Sequence, residues 1–229
     1  AARAPPRSAH PSADRRTMDA RRCGHAEGAT MSARIFPDDI LFFQRLLRSD
    51  GLYLANLDGI WGPLTEAAVV EFERLADTIA AAVGTFDARS ENNVRTLAVR
   101  AQRPAREFLQ RVRAAGIGAR SISGTRTYAM QDALYRQGRF GNPGPRETSA
   151  RGGQSNHNFG IARDIGIYTP RGGNDTAGPP YDAAAAAGAA PELEWGGNWS
   201  SFVDKPHWQL ATGLTLATLR ARFESGDWS

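Results

Sequence analysis

Cysteine and long apolar runs are nearly absent from this sequence. Its 229 residues include one cysteine, Cys23, which excludes an internal disulfide and a zinc site built from several thiolates. No apolar run approaches the roughly 20 residues that a helix needs to span a bilayer, so we expect no membrane insertion. The N-terminus also lacks an apolar region of the secretory type. We therefore expect a cytoplasmic protein without a signal peptide. Another component would have to release it from the cell if it acts outside.

Positive charge is in modest excess and unevenly placed. The formal net charge is +4, and six arginines lie within the first 22 residues. Because the excess sits in this tail, the remainder of the chain is closer to neutral, which disfavours a nucleic-acid-binding function. Residues 1–33 are rich in Ala, Arg, Pro, Ser and Gly and show no helical or strand period. We predict that they form a disordered tail.

Residues 34–84 are predicted to form a small helical domain. Apolar residues recur at helical spacing in residues 40–47, and a second helix should begin at Pro63. The predicted buried face of this second helix consists of Leu64, Ala68, Phe72, Leu75 and Ile79. The connecting run Asp58-Gly59-Ile60-Trp61-Gly62-Pro63, followed by Thr65, resembles the loop of the peptidoglycan-binding domains of wall hydrolases. The resemblance implies a wall-binding domain, and a helical cap on the catalytic core is the alternative.

Residues 85–229 are predicted to form the catalytic domain. Ser90 should cap a long helix that kinks at Pro104 and ends at Gly116. Short strands are expected at residues 120–123, 160–168 and 207–211, and further helices at residues 127–137, 181–190 and 214–223. Because helices and strands do not alternate regularly, we predict an α+β fold with a small antiparallel sheet and flanking helices.

The two histidines outside the tail, His157 and His207, fall in two polar segments, residues 154–164 and 204–208. Asp164 follows His157 by seven residues, in a run rich in isoleucine and glycine that is typical of a buried strand. A hydrolytic zinc site needs three imidazole or carboxylate ligands, a fourth position left to water, and a carboxylate base. We therefore predict that His157, Asp164 and His207 hold one zinc ion, with Asp204 as the base.

The same residues resemble a known family signature. The pattern Ser155-x-His157-x-x-Gly160-x-Ala162-x-Asp164, with Asp204-x-x-His207, is similar to that of the D-alanyl-D-alanine carboxypeptidase-like zinc peptidases. Residues 123–128, 135–138 and 194–199 extend the similarity, which is greatest to the L-alanyl-D-glutamate endopeptidases of phage endolysins and bacterial autolysins. The resemblance implies lysis of the cell wall by hydrolysis of the L-alanyl-D-glutamate bond in peptidoglycan stem peptides. A D-alanyl-D-alanine carboxypeptidase or dipeptidase, and a non-catalytic wall-binding module with structural zinc, are the alternatives.

The resemblance also implies roles for residues around the metal. The family places its general base three residues before the last histidine, where this chain has Asp204. Glu194 is the competing base, or instead a brace for the cleft or for a ligand histidine. Arg126 is expected to stabilise the developing oxyanion, and Arg126, Ser155 and Gln131 are expected to contact the substrate. We expect a monomer whose partner is bacterial peptidoglycan.

Overall fold

The computed structural model describes residues 39–169, 174–175 and 178–228. The tail that we predict to be disordered, residues 1–33, lies outside the described residues. The helices are α1 (Ile40–Ser49), α2 (Pro63–Val83), α3 (Ala88–Val94), α4 (Val99–Ala114), α5 (Tyr128–Arg136), α6 (Gly178–Gly188) and α7 (Leu216–Ser225). The strands are β1 (Ala119–Ser123), β2 (Ala162–Tyr168), β3 (Asn174–Asp175), β4 (Leu193–Trp195) and β5 (His207–Leu210). Two short 3₁₀ turns, Asn156–Phe159 and Gly196–Asn198, precede β2 and follow β4.

The strands form one antiparallel sheet in the order β1-β2-β5-β4, and the short β3 also pairs with β2. This arrangement confirms the predicted α+β class with a small antiparallel sheet and flanking helices. The central strand β2 is mostly buried, and its Ile165 and Ile167 have the β-branched shape that packs well on a pleated surface. Among the described residues, no helix combines the length and the apolar character that crossing a bilayer requires.

Helices α4 and α6 contribute most of the core that packs against β2 and β5. The ring of Phe108 in α4 lies against Trp208 in β5, with centroids 4.4 Å apart, and Trp195 of β4 stacks on the same indole at 5.9 Å. Complete burial of a side chain such as Phe108 stabilises a fold by about 1.5–3 kcal/mol. This core therefore fixes the two strands that carry Asp164 and His207, two of the three candidate metal ligands.

The helical segment, residues 39–84, shares its core with the rest of the fold. Its buried side chains form one cluster with residues of the 156–161 loop and of α7. This cluster contains Phe42, Phe43, Leu46, Leu47, Tyr53, Ala68, Val69, Phe72, Ala98, Phe159, Ile161, Leu219 and Phe223. At the end of α1, Asp50 accepts a hydrogen bond from the Val99 backbone at 2.7 Å and pairs with Arg100 at 2.9 Å. These contacts favour the helical-cap alternative, while the boundary after residue 84 and the wall-binding role remain predictions.

The buried face of α2 differs from the predicted one. Ala68 and Phe72 are buried as predicted, but Leu64 is 65% exposed and Leu75 and Ile79 are only half-buried. The helix also buries Thr65, Val69, Ala76 and Ala80. The physical reason lies in the first turn, where the hydroxyl of Thr65 points inward and lies 3.2 Å from the buried amide nitrogen of Gln44. A polar contact therefore sets the rotation of the helix, and the apolar Leu64 is left on the surface.

The long helix predicted from Ser90 to Gly116 is also wrong, because it is two helices. Asp87 caps α3 by accepting a hydrogen bond from the Ser90 backbone at 3.1 Å, and this helix ends at Val94. The chain leaves helical geometry before α4, and the Ala98 N–H donates to the Gly160 carbonyl at 2.9 Å. This bond ties the start of α4 to the loop that carries His157. The second helix runs through Pro104.

Candidate metal centre

His157 lies on the 3₁₀ turn Asn156–Phe159, directly before β2. The hydroxyl of Ser155 caps this turn by accepting a hydrogen bond from the His157 N–H at 3.4 Å, and Gly160 ends it with a φ of 70°. A Cβ on Gly160 would lie 2.5 Å from Cδ1 of Leu46 and 2.9 Å from the Ala98 backbone nitrogen. Close packing against α1 and the start of α4 therefore fixes the turn that presents His157.

Strand register brings the other two candidate ligands together. Asp164 of β2 is the direct partner of His207 in β5, so the two side chains leave the same face of the sheet side by side. The His207 N–H donates to the Asp204 carbonyl at 3.1 Å, and the Asp204 N–H donates to the Gly196 carbonyl at 3.0 Å. A Cβ on Gly196 would lie 2.5 Å from the Asp204 carbonyl, so the tight turn requires glycine there. This turn places Asp204 beside the ligands.

The three side chains converge as the sequence predicts. One ligand atom from each of His157, Asp164 and His207 lies within 4.8 Å of the others. The Asp164 Oδ1 atom is 3.2 Å from Nε2 of His157 and 3.4 Å from Nδ1 of His207. Zinc–ligand bonds of about 2.0–2.2 Å in a tetrahedron place donor atoms about 3.4 Å apart. Both the donor types and their spacing therefore fit a single ion of this kind, and the three residues could hold a metal.

The hydrogen bonds of each imidazole select the nitrogen that faces this centre. Nδ1 of His157 lies 2.7 Å from the Gly124 carbonyl, and Nε2 of His207 lies 3.0 Å from Oε1 of Gln209. Since a carbonyl oxygen only accepts, we assign the proton of each neutral ring to these outer nitrogens. The inner nitrogens, Nε2 of His157 and Nδ1 of His207, then keep free lone pairs that point to Asp164.

Electrostatics keep the carboxylate ionised and one imidazole neutral. Burial raises the pKa of Asp164, but the charges and hydrogen bonds of His157 and His207 outweigh it and hold the pKa well below its ordinary value. Burial lowers the pKa of His157 despite the opposing charge of Asp164. Burial also lowers the pKa of His207, but its hydrogen bonds to Asp164 and Gln209 and the negative charges of Asp164 and Asp204 together outweigh this effect and raise that pKa overall. A carboxylate and a neutral imidazole are the protonation states that bind a metal.

Asp204 lies in the field of all three candidate ligands. Burial and the negative charge of Asp164 raise its pKa, and this effect exceeds the opposing influence of His207, His157 and Arg126. The side chain is half-buried, and the raised pKa is suited to a group that accepts a proton and later returns it. The assignment of Asp204 as the base remains a prediction with this electrostatic support.

Arg126 is held at the same centre by three side chains. Its Nη1 donates to Ser123 Oγ at 2.7 Å and lies 3.4 Å from Oδ2 of Asp164, while its Nε donates to Oε1 of Gln131 at 2.9 Å. Burial lowers the pKa of this guanidinium, yet an arginine stays charged in a protein. The structure therefore places a fixed cation beside the candidate ligand Asp164, and the oxyanion role of Arg126 remains a prediction.

Gln131 and Ser155, two of the predicted substrate contacts, differ in how far they are buried. Gln131 is 0% exposed, and its amide donates to the Ala150 carbonyl at 3.0 Å while accepting from Arg126. A side chain without exposed surface does not reach a substrate in this conformation, so its burial favours a role in positioning Arg126 over the predicted substrate contact. Ser155 is half-buried and caps the turn before His157, which leaves its predicted substrate contact a prediction.

Glu194 does not belong to the group of ligand atoms at the centre. Its Oε1 accepts from the Trp199 indole N–H and its Oε2 accepts from the Gln209 amide, both at 2.9 Å. Because both oxygens are engaged away from the three ligands, the bracing alternative is favoured over the base. The sequence reasoning missed Gln209, although a position two residues after His207 on a strand must share its face.

The α+β fold brings together two histidines and one carboxylate, the donor set that is found in hydrolytic zinc sites. Two family models match the chain, over residues 94–176 and residues 148–210, and both are described as D-alanyl-D-alanine carboxypeptidase. Through residues 94–210 the chain belongs to the D-alanyl-D-alanine carboxypeptidase-like family. The matched region contains His157, Asp164 and His207.

Two individual proteins are also similar to part of the chain. The peptidoglycan L-alanyl-D-glutamate endopeptidase CwlK of Bacillus subtilis (strain 168) is 34% identical over 104 residues, which are 42% of this chain and 62% of CwlK. The chain thus matches less than two thirds of the length of this curated relative. The crystal structure of the L-Ala D-Glu endopeptidase ChiX from Serratia marcescens is 30% identical in sequence. That match covers 55% of this chain and 89% of ChiX, with a TM-score of 0.44.

Proposed function

We propose that this protein is a zinc-dependent peptidase that hydrolyses the bond between L-alanine and D-glutamate in peptidoglycan stem peptides. The convergence of His157, Asp164 and His207 at the donor spacing of a tetrahedral ion carries this proposal. CwlK and ChiX, which are named for this cleavage, support the choice of bond. The substrate is then bacterial peptidoglycan, and the site of action is the cell wall.

The chemistry divides between the ion and the side chains around it. Zinc held by the three ligands supplies a Lewis acid that lowers the pKa of water towards about 7. The carboxylate of Asp204 accepts the proton as water attacks the peptide carbonyl, and it then returns this proton to the leaving amine. The raised pKa of Asp204 favours the first of these transfers, because the conjugate base of a weaker acid binds the proton more firmly.

Arg126 stabilises the charge that develops on the substrate oxygen. Its guanidinium is already oriented by Ser123 and Gln131, so little reorganisation is needed when the oxyanion forms. A fixed donor of this kind typically contributes about 3 kcal/mol to transition-state stabilisation. The buried Gln131 therefore acts through Arg126 rather than on the substrate.

A product map of digested wall tests the choice of bond. Purified peptidoglycan is incubated with the zinc-loaded protein, and the new termini are identified by mass spectrometry. We expect new N-terminal D-glutamate, with no release in a parallel digestion by Asp204→Asn protein that still binds zinc. A wild-type protein that binds zinc but releases no peptide would contradict the proposal and support the non-catalytic wall-binding module.

The family description gives a second candidate function, D-alanyl-D-alanine carboxypeptidase. Both matching family models carry this description, and the zinc chemistry is the same for either bond. The two functions differ in the product, because the carboxypeptidase or dipeptidase releases free D-alanine. Free D-alanine without new N-terminal D-glutamate in the same digestion would replace our choice of bond with this one.

The helical segment offers a surface for attachment to the wall. Leu54 and Leu64 are 81% and 65% exposed, and they border a groove between α2 and the loop after α1. The loop Asp58-Gly59-Ile60-Trp61-Gly62-Pro63 lies beside it and carries the resemblance to peptidoglycan-binding domains. Attachment through this surface would raise the local concentration of the peptidase on its insoluble substrate.

A further inference from the structure

A chain of hydrogen bonds runs from the protein surface to the back of His207. The indole N–H of Trp199 donates to Oε1 of Glu194 at 2.9 Å, and the amide nitrogen of Gln209 donates to Oε2 of Glu194 at 2.9 Å. Oε1 of Gln209 in turn lies 3.0 Å from Nε2 of His207. Gln209 and His207 are buried, whereas Glu194 is exposed. The chain of bonds thus links a surface carboxylate to a candidate metal ligand.

The direction of the Gln209 amide is fixed from both sides. The side-chain amide of Asn156 donates to the same oxygen of Gln209 at 2.6 Å, so this oxygen faces two donors. The amide nitrogen faces the carboxylate of Glu194, which only accepts hydrogen bonds. Rotating the amide by half a turn would set its oxygen against that carboxylate and its nitrogen against the Asn156 donor. Only one orientation therefore satisfies all of these groups.

This orientation has a consequence for the imidazole of His207. If Gln209 were reversed, its N–H would donate to Nε2, and the proton of the neutral ring would move to Nδ1, the atom that faces Asp164. With the observed orientation, Nε2 carries the proton and the Nδ1 lone pair is free. Trp199 also covers the face of the ring, with centroids 4.9 Å apart, so the imidazole is held both in its plane and across it.

We propose that Glu194 and Gln209 are positioning residues that hold His207 in the Nε2–H tautomer, so that Nδ1 is its metal donor. The proposal rests on the proposed function in taking His207 as a metal ligand. His157 provides an internal reference, because its outer nitrogen donates to the Gly124 backbone carbonyl, which no substitution removes. The tautomer of His157 therefore depends on the main chain, and that of His207 depends on two side chains.

Two variants at position 209 separate a hydrogen-bonding role from a packing role. Gln209→Leu keeps most of the volume but removes the acceptor, so His207 should occupy both tautomers. The double variant Glu194→Gln with Gln209→Glu exchanges the amide and the carboxylate. In this double variant, the carboxylate at position 209 accepts hydrogen bonds from His207, from Asn156 and from the amide nitrogen at position 194. The amide oxygen at position 194 accepts the hydrogen bond from the Trp199 indole. Every hydrogen bond is kept, so the double variant should behave like the wild type.

The readouts are the imidazole tautomers, observed by ¹⁵N NMR of the full-length metal-free protein at alkaline pH, and the zinc affinity, measured by competition with a chromophoric chelator. We expect Gln209→Leu to mix the His207 tautomers, leave those of His157 unchanged, and weaken zinc binding by about 10–100-fold. The double variant should restore both properties. A single Nε2–H tautomer and unchanged affinity in Gln209→Leu would overturn the proposal, as would a double variant that resembles Gln209→Leu.

A surface variant keeps the test valid if Gln209→Leu does not fold. Glu194 is exposed, so Glu194→Gln should not disturb folding. The new amide permits either orientation of Gln209, and we therefore expect a partial mixture of His207 tautomers and a smaller loss of zinc affinity. Unchanged tautomers in this variant would remove Glu194 from the proposal. The tautomers are measured without metal, so they test the positioning of His207 by Glu194 and Gln209 even if the wild-type protein binds no zinc. Absence of zinc binding would contradict the proposed function instead.

Discussion

Gly160 joins the helical segment to the metal centre, and its replacement by alanine should damage both. The residue has a φ of 70°, a left-handed conformation that costs an L-residue about 1–2 kcal/mol. The added Cβ would also lie 2.5 Å from Cδ1 of Leu46 and 2.9 Å from the backbone nitrogen of Ala98. The Leu46 side chain can move, but the Ala98 backbone can shift only a little. Overpacking of this kind costs a further 1–3 kcal/mol, roughly, so Gly160→Ala should lose about 2–5 kcal/mol of unfolding free energy.

Gly51 provides a matched control for this prediction. Its φ is 73°, almost the same as that of Gly160, but a Cβ there would meet nothing within 4 Å. Gly51→Ala should therefore lose only the conformational part, about 1–2 kcal/mol. The difference between the two variants, measured by urea denaturation, isolates the close contact with Leu46 and Ala98.

The same pair of variants tests the connection to the metal centre. In Gly160→Ala the 3₁₀ turn must shift to relieve the contact, and this displaces His157 from the other two ligands. We expect weaker zinc binding in Gly160→Ala and unchanged zinc binding in Gly51→Ala, measured by chelator competition on folded protein. Equal losses of stability in the two variants, or wild-type zinc affinity in Gly160→Ala, would refute the view that this contact positions the ligand.

Four further predictions concern the chemistry, the fold and the wall. Asp204→Asn should lower kcat for peptidoglycan fragments by about 10²–10⁴-fold while zinc binding is retained; full activity would reject Asp204 as the base. Arg126→Gln should lower kcat by about 10²–10³-fold, with the larger effect on kcat than on KM, as steady-state kinetics would show. Burial raises the pKa of Glu91, but its hydrogen bonds to Arg106 and the Phe86 backbone and the charges of Arg106 and Arg95 together outweigh this and lower the pKa. Its contribution to stability is therefore full above the ordinary glutamate pKa and is lost as the pH falls through the folded-state value, and Glu91→Gln should flatten this dependence in acid unfolding curves. Leu54→Ser with Leu64→Ser should reduce co-sedimentation with insoluble wall and leave hydrolysis of soluble fragments unchanged; unchanged sedimentation would contradict the attachment surface.

The two histidine candidates could be predicted from the sequence because histidine is rare in this chain. Only four histidines are present, and the two outside the tail lie in polar segments at the spacing of a family signature. Strand periodicity then placed Asp164 in β2 and His207 at the start of β5, and their pairing required only that the two strands be neighbours. Residue type alone identifies the histidines, whereas the signature selects Asp164 among the 24 acidic residues.

The roles of amide side chains could not be predicted in the same way. Gln131 and Gln209 are both buried, and each is hydrogen-bonded to Arg126 or to the candidate ligand His207. Their orientations depend on further hydrogen bonds to residues that are distant in sequence. An amide carries no charge and is common on surfaces, so its type alone predicts nothing. The break before α4 is similar, because the hydrogen bond from Ala98 to Gly160 that it permits spans distant parts of the chain.

The shared core changes how the helical segment relates to the proposed catalysis. A binding domain on a flexible linker would raise local concentration without orienting the enzyme. Here Leu46 of α1 packs against Gly160, and Asp50 at the end of α1 binds the start of α4. The segment is therefore part of the structure that positions His157, and a wall contact through its exposed groove would also set the direction in which the metal centre faces the wall. In that case the same surface of the helical segment would determine both the attachment of the protein to the wall and the orientation of the metal centre.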